Sequence, residues 1–236
     1  VEVKVVSFGD YRRYSIAELK QVFPIQSFRG ADLFKGFESS DRSYAELQAD
    51  VEQMKFRIGL SKSDNEATRG SLLVAHVLWK ASSVYDLGIF FEPTVEVNWS
   101  EASGLPHSLN GKYDCALCLD QIDFIAPIIA VVEVKRSSLA DGVGQCVAEM
   151  YATLKQFQQT QVYGIVTDGE IWSFFQLQQS SQRSSQSSSQ ASPNNQSQDS
   201  LPEVILLAHG TSYYVNRVGD IVDRIGYIAD QSRSKP

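Results

Sequence analysis

Over the first third of the chain the apolar positions recur at helical spacing. SIAELKQVF offers Ser15 as an N-cap before a short helix. SYAELQADVEQMKFRIG places Leu47, Val51 and Met54 on one helical face. SDNEATRGSLLVAHVLWKAS, residues 63–82, predicts a third helix, with Ser63 and Glu66 spaced as a capping box requires. The rhythm then changes to alternation. IFFEPTVEVNWS predicts a strand near 94–99, KYDCALCLD a second and IIAVVEVK a third, while EASGLPHSLNG reads as a loop by composition. GVGQCVAEMYATLKQF returns to helical spacing, with Val143, Cys146, Val147, Met150, Tyr151, Leu154 and Phe157 on one stripe. QVYGIVTDGEIWSFFQL predicts a hairpin turning at Asp168-Gly169. EVILLAHGTSYYV adds a strand or pair, and VGDIVDRIGYIADQ an amphipathic helix. Helices, then β-β-β-α-β-β, then a helix describe an α/β domain with a mixed sheet.

Residues 178–200 break the pattern. They are nearly all Ser, Gln and Asn, cannot contribute to a core, and are expected to be a disordered insertion at a hairpin tip. A chain of 236 residues that is 43% hydrophobic suffices for one sizeable core. No apolar run is long enough to span a membrane as a helix. VEVKVVSFGDYRRYS has no apolar segment flanked by a cleavage site, so no secretory signal is expected. Three cysteines form a sparse set, and the lone Cys115-x-x-Cys118 pair lacks the second pair a structural zinc site needs. Reduced cysteines, and hence a cytoplasmic protein, are expected. The net charge of −7 argues against tight non-specific nucleic-acid binding, but it does not exclude a local basic patch or a carboxylate-rich metal site.

The chemistry concentrates in IIAVVEVKRS. Alternation places Ile128, Ala130, Val132 and Val134 on one face, and Ile129, Val131, Glu133 and Lys135 on the other. The first half is apolar on both faces, as in an interior strand covered on both sides. Two charges at the end of such a strand cost several kcal/mol per ion unless paired or metal-bound. Asp114 stands near the start of the preceding strand, and in an antiparallel pair that start lies beside the next strand's end. Two carboxylates and a lysine then converge, an arrangement suited to Mg²⁺, which prefers oxygen ligands.

Asp114, then Glu133-Val134-Lys135 on the next strand, then a helix, resembles the PD-(D/E)XK nuclease superfamily, the restriction-endonuclease-like fold. The resemblance spans roughly residues 63–177, with Tyr113 where the name-giving pattern has proline. It implies an αβββαβ core within 63–236, preceded by a helical N-terminal extension, residues 1–62. It also implies a metal-dependent nuclease hydrolysing phosphodiester bonds, with Asp114, Glu133 and the Val134 carbonyl holding Mg²⁺ or Mn²⁺ and Lys135 acting on water or phosphate. Glu66 corresponds to a helix carboxylate of many members, or else serves as the cap partner of Ser63. Gln145 corresponds to a glutamine early in the helix after the motif. Glu149, one turn further on, reads as a solvated surface charge. Nucleic acid, DNA in preference to RNA, is the implied partner, with a homodimer or partner subunit possible and no membrane. The alternative is a non-catalytic module of the same fold that binds nucleic acid or protein.

Other signals are weak. His76, His107 and His209 lack zinc spacing. There is no phosphate-binding GxxxxGK[ST] loop and no GxSxG elbow. The aromatics of IWSFF and TSYYV read as strand packing.

Overall fold

The computed structural model describes residues 4–100, 105–179 and 204–234, apart from the side chain of Ser27. Its strands and helices in chain order are β1 (Val5–Ser7), α1 (Ile16–Val22), β2 (Ile25–Ala31), α2 (Ala45–Leu60), α3 (Glu66–Arg69), α4 (Ala75–Tyr85), β3 (Gly88–Phe91), β4 (Thr94–Val97), β5 (Ser108–Lys112), β6 (Cys115–Cys118), β7 (Ile128–Val134), α5 (Ala140–Gln156), β8 (Gln161–Thr167), β9 (Ile171–Gln179), β10 (Val204–His209), β11 (Tyr213–Tyr214) and α6 (Val218–Arg233). A π-helical turn, Gly70–Val74, joins α3 to α4, so the predicted third helix runs from Glu66 to Tyr85 with a local widening. Such turns recur at functional sites.

An eight-stranded mixed sheet forms the centre, in the order β2-β10-β9-β8-β7-β6-β3, with β11 added beside β9. β7 is antiparallel to β6 and parallel to β8. Every residue of β7 is buried, as expected of a strand with cover on both faces. Helices α2, α4 and α6 cover one face through Val51, Val77, Leu78, Ile221 and Ile225. On the other face lies α5, with Val147, Met150 and Tyr151. α5 is itself covered from outside by a three-stranded sheet, β1-β5-β4, and by the 3-10 turn Phe8–Tyr11.

The strand order departs from the sequence reading at its first member. The strand expected near 94–99 forms at Thr94–Val97 but belongs to the small sheet. The partner of β6 is β3, with Phe91 opposite Cys115. Glu92 takes a left-handed conformation, φ 49°, and Pro93 follows, so the chain leaves the main sheet there. SLNG, expected as loop, forms most of β5 because pairing with β1 and β4 overrides its composition. The region 1–62, expected as a helical extension, also contributes β1 and β2, and β2 pairs in parallel with β10 at the edge of the main sheet. The Ser/Gln-rich insertion lies outside the described residues except for Gln178 and Gln179, which end β9. The predicted hairpin is β8–β9, with Asp168 accepting from the backbone N–H groups of Glu170 and Ile171 at 2.8 and 2.7 Å. Among the described residues no helix is long and apolar enough to cross a membrane.

The helical face is tied together by one buried carboxylate. Asp223 of α6 accepts from the Ser40 N–H at 2.8 Å, and from the Tyr44 and Tyr85 hydroxyls at 2.5 and 2.8 Å. Burial raises its pKa, but the hydrogen bonds from Tyr44, Ser40 and Tyr85 outweigh burial and hold it below the ordinary aspartate value. Asp223→Ala strips the partner from two tyrosine hydroxyls, and leaving such groups unsatisfied costs about 1–3 kcal/mol each. Urea unfolding is therefore expected to show a loss of about 2–4 kcal/mol. In the wild-type chain this contribution is complete above the ordinary aspartate pKa, about 3.9. It fades as pH falls through the lowered folded value; an unchanged urea midpoint in the variant contradicts the account.

Candidate functional site

The end of β7 gathers the charged residues singled out in the sequence. Side chains of Ala130, Val132 and Val134 enter the core shared with α4 and α6, while Val131 lies on the α5 side. Ile128 and Ile129 are exchanged relative to strict alternation. A bulge sets Cys118 opposite Ile128 and Leu117 opposite Ala130, leaving Ile129 as the extra residue. Past the bulge the alternation holds, and Glu133 meets α5.

Asp114 immediately precedes β6. Its Oδ2 accepts from the Val134 backbone N–H at 2.7 Å, so the start of β6 and the end of β7 adjoin as the antiparallel argument requires. Glu133 is fully buried, at 0% exposure, and Lys135 nearly so, at 4%. The Lys135 ammonium forms an ion pair with Glu133 Oε1. The Lys135 backbone N–H donates to the Thr167 carbonyl at 2.7 Å, continuing the β7–β8 pairing past the strand's formal end. Gly142 makes room for the lysine stem: a Cβ there would stand 3.0 Å from Lys135 Cγ and 2.8 Å from Val166 Cγ1.

Helix α5 supplies the amides and the remaining carboxyl. Gln145 Nε2 donates to Glu133 Oε2 at 2.8 Å and to Glu149 Oε1 at 3.1 Å. Glu149, expected as a solvated surface charge, is 0% exposed, and its Oε2 has no hydrogen-bond partner among the described residues. The correction has a plain cause. The side of α5 that faces away from the main sheet is covered by the small sheet and the 3-10 turn, so the helix has almost no solvent face. One signal in the sequence pointed there: Glu149 is the only charged residue between Asp141 and Lys155.

Glu66 is the first residue of α3. The N-cap is Asn65, whose Oδ1 accepts from the Thr68 N–H at 2.8 Å, so the expected capping box with Ser63 does not form. Glu66 instead accepts from Arg12 Nη2 at 3.0 Å. It lines, with Arg12, Lys135, Arg136, Ser137 and Asp141, an open cleft of about 380 Å³ at the end of β7. Asp114, Glu133, Lys135 and Gln145 therefore form one bonded cluster, and Glu66 stands at the cleft beside it.

The electrostatics of the cluster are lopsided. Burial, and then the charge of Asp114, push the Glu133 carboxyl up to about 7, with Lys135 acting in the opposite sense. Burial and the neighbouring Glu133 raise Glu149 well above the usual glutamate range. Asp114 is an exposed residue, yet the desolvation of its carboxylate by the surrounding protein raises it too, against the Val134 N–H and Lys135. One ammonium cannot balance three carboxyls, and an unpaired buried ion costs several kcal/mol. The cluster is relieved by retained protons or by an added cation. Among the described residues no group of three or more His, Cys, Asp or Glu side chains is arranged to hold a metal ion. Cys115 and Cys118 are buried free thiols in separate cores on opposite faces of the sheet. No family model matches the chain, and no curated protein matches it.

Raised carboxyl pKa values fix a sign for stability. Above the ordinary glutamate pKa, about 4.3, the folded chain binds more protons at this cluster than the unfolded chain, so the cluster makes stability fall as pH rises. In metal-free buffer the urea midpoint is expected to drop as pH rises through about 7. Glu149→Gln removes one of the strained ionisations and should flatten that drop. A midpoint that rises over this range, or a variant with an unaltered slope, contradicts the assignment.

Proposed function

We propose that the chain is a metal-dependent nuclease that hydrolyses phosphodiester bonds of DNA at the end of β7, with a restriction-endonuclease-like core. The observation that carries the reading is the cluster itself: Asp114 joined to Val134, and Glu133 and Lys135 side by side on the α5 face, next to an open cleft. The order of elements supports it. Within the main sheet and its covering helices, helix Glu66–Tyr85, β3, β6, β7, α5 and β8 follow in chain order as α-β-β-β-α-β, with β4 and β5 of the small sheet inserted between β3 and β6, and β3, β6, β7 and β8 are adjacent in the sheet.

The donor set fits Mg²⁺ or Mn²⁺. Asp114 and Glu133 are hard oxygen donors in a neighbourhood with more carboxyls than cations, and Mg²⁺ is commonly held by one or two carboxylates with water completing the shell. Asp114, Glu133 and the Val134 carbonyl would hold the ion. When bound, it supplies Lewis acidity, lowering the pKa of a water and neutralising charge on the phosphate.

The chain's own residues do the rest. Gln145 orients the Glu133 carboxylate by donating to Oε2, and the Val134 N–H orients Asp114 through Oδ2, so that an ion would take the Glu133 oxygen that Lys135 now holds. Gly142 and Glu133 confine the Lys135 ammonium. From there Lys135 orients the attacking water and stabilises the negative charge that builds on the phosphoryl oxygens. The water oxygen bonds to phosphorus and gives up one proton to solvent, the bond from phosphorus to the leaving sugar oxygen breaks, and that oxygen takes a proton from solvent and leaves as the alcohol.

The test is cleavage of single- and double-stranded DNA and RNA with Mg²⁺ or Mn²⁺. Lys135→Ala and Asp114→Asn are each expected to lower the rate by about 10²-fold or more. The reading is wrong if no substrate is cut, or if cleavage persists undiminished in both variants.

A further inference from the structure

The N-terminal segment reaches the cleft from outside the α-β-β-β-α-β core. Phe8 and Tyr11 of the 3-10 turn are buried, at 1% and 2% exposure. The Tyr11 hydroxyl is hydrogen-bonded to His107 Nε2, and its ring packs against Phe23 with centroids 5.2 Å apart. The Tyr11 carbonyl lies directly on Gly144 of α5, where a Cβ would come within 2.1 Å of it. The turn is thus seated on the first half of the helix that carries Gln145 and Glu149.

That seating positions the next residue in the chain. Arg12 leaves the buried turn with its side chain about half exposed, 47%, and pairs with the Glu66 side chain, 38% exposed, across the mouth of the cleft. An exposed pair of this kind is worth only about 0–1 kcal/mol, so it does not hold the segment in place; Phe8 and Tyr11 do. Only Nη2 is engaged, and the other guanidinium N–H groups have no protein partner among the described residues. Arg12, Lys135 and Arg136 line the cleft against Glu66 and Asp141, in a chain whose net charge is −7. Cations are gathered here although the chain as a whole is acidic. A guanidinium with free N–H groups matches the paired oxygens of a phosphate, to which it can donate two parallel hydrogen bonds.

We propose that Arg12 binds a backbone phosphate of DNA next to the scissile one, exchanging Glu66 for the phosphate. The proposal rests on the nuclease reading and adds to it a phosphate-binding residue from outside the core. The exchange also frees the Glu66 carboxylate at the mouth of the cleft, where its charge already acts on Asp114.

Binding of a fluorescein-labelled DNA duplex, monitored by anisotropy in EDTA over a series of salt concentrations, tests this without cleavage. Arg12→Ala should weaken binding by about tenfold at low salt and reduce the slope of log K against log salt by about one phosphate contact. Arg12→Lys should restore the slope. Glu66→Gln breaks the same ion pair but leaves Arg12 free, and should bind as tightly as the wild-type chain or tighter. If Arg12→Ala and Glu66→Gln weaken binding alike with the slope unchanged, the pair is merely structural and the proposal is overturned. If the wild-type chain binds and cuts DNA while Arg12→Ala keeps both affinity and slope, the Arg12 assignment falls and the nuclease reading stands. A wild-type chain that neither binds nor cuts DNA removes both.

Discussion

Burying the end of β7 is the constraint on which the rest of the structure turns. Covering a strand from both faces gives a dry, rigid centre, but it also takes Glu133 and Lys135 out of water with it. Their mutual attraction and the Gln145 amide offset part of that penalty. Glu149 then adds a further carboxyl beside them and works against the balance. A sequence selected only for stability would place apolar residues here, since replacing buried ions by packed hydrophobic side chains is often neutral or stabilising. Stored electrostatic cost at a cleft edge is the kind of perturbation that accompanies binding and catalysis.

The surrounding architecture holds that cluster without sharing its charges. Arg69 of α3 makes a two-pronged contact with Asp64 at 2.7 and 3.1 Å and donates to the Asp168 carbonyl at 3.0 Å. The helix start that carries Glu66 is thereby pinned to the tip of the β8–β9 hairpin. On the far face, the hydrogen bonds to Asp223 join α6, the end of α4 and the segment before α2. On the near face, α5 lies between two sheets. The cluster is therefore framed by a helix start, a strand end and a helix face, each fixed by contacts of its own.

Much of this was legible in the sequence, and the misses have physical causes. Alternation in IIAVVEVK correctly put Glu133 and Lys135 on one face, because every residue beyond the bulge keeps the pleat. The antiparallel argument brought Asp114 to Val134. Periodicity did not reveal the bulge at Ile129, because both its neighbours are apolar and either orientation buries them. It also did not separate β3 from β4, since a turn through Glu92-Pro93 leaves the apolar pattern of GIFFEPTVEV nearly continuous. Glu149 was misread because helical spacing says which residues share a face but not how many faces are covered. Arg12 gave no sign beyond an ordinary pair of basic residues; its place at the cleft depends on Tyr11 resting upon Gly144, a tertiary contact far apart in sequence.

In the nuclease reading proposed above, Asp114 and Glu133 would hold a divalent cation, and calorimetric titration of the chain with Mg²⁺ reads that binding without any need for cleavage. Because burial and Asp114 push the Glu133 carboxyl up, saturable binding at neutral pH is expected to release protons to the buffer, since ligand carboxylates must ionise to bind. Repeating the titration in buffers of different ionisation enthalpy counts those protons, and Asp114→Asn should abolish the binding signal. Absence of saturable Mg²⁺ or Mn²⁺ binding by the wild-type chain, or equal binding by Asp114→Asn, would rule out a metal held by these carboxylates.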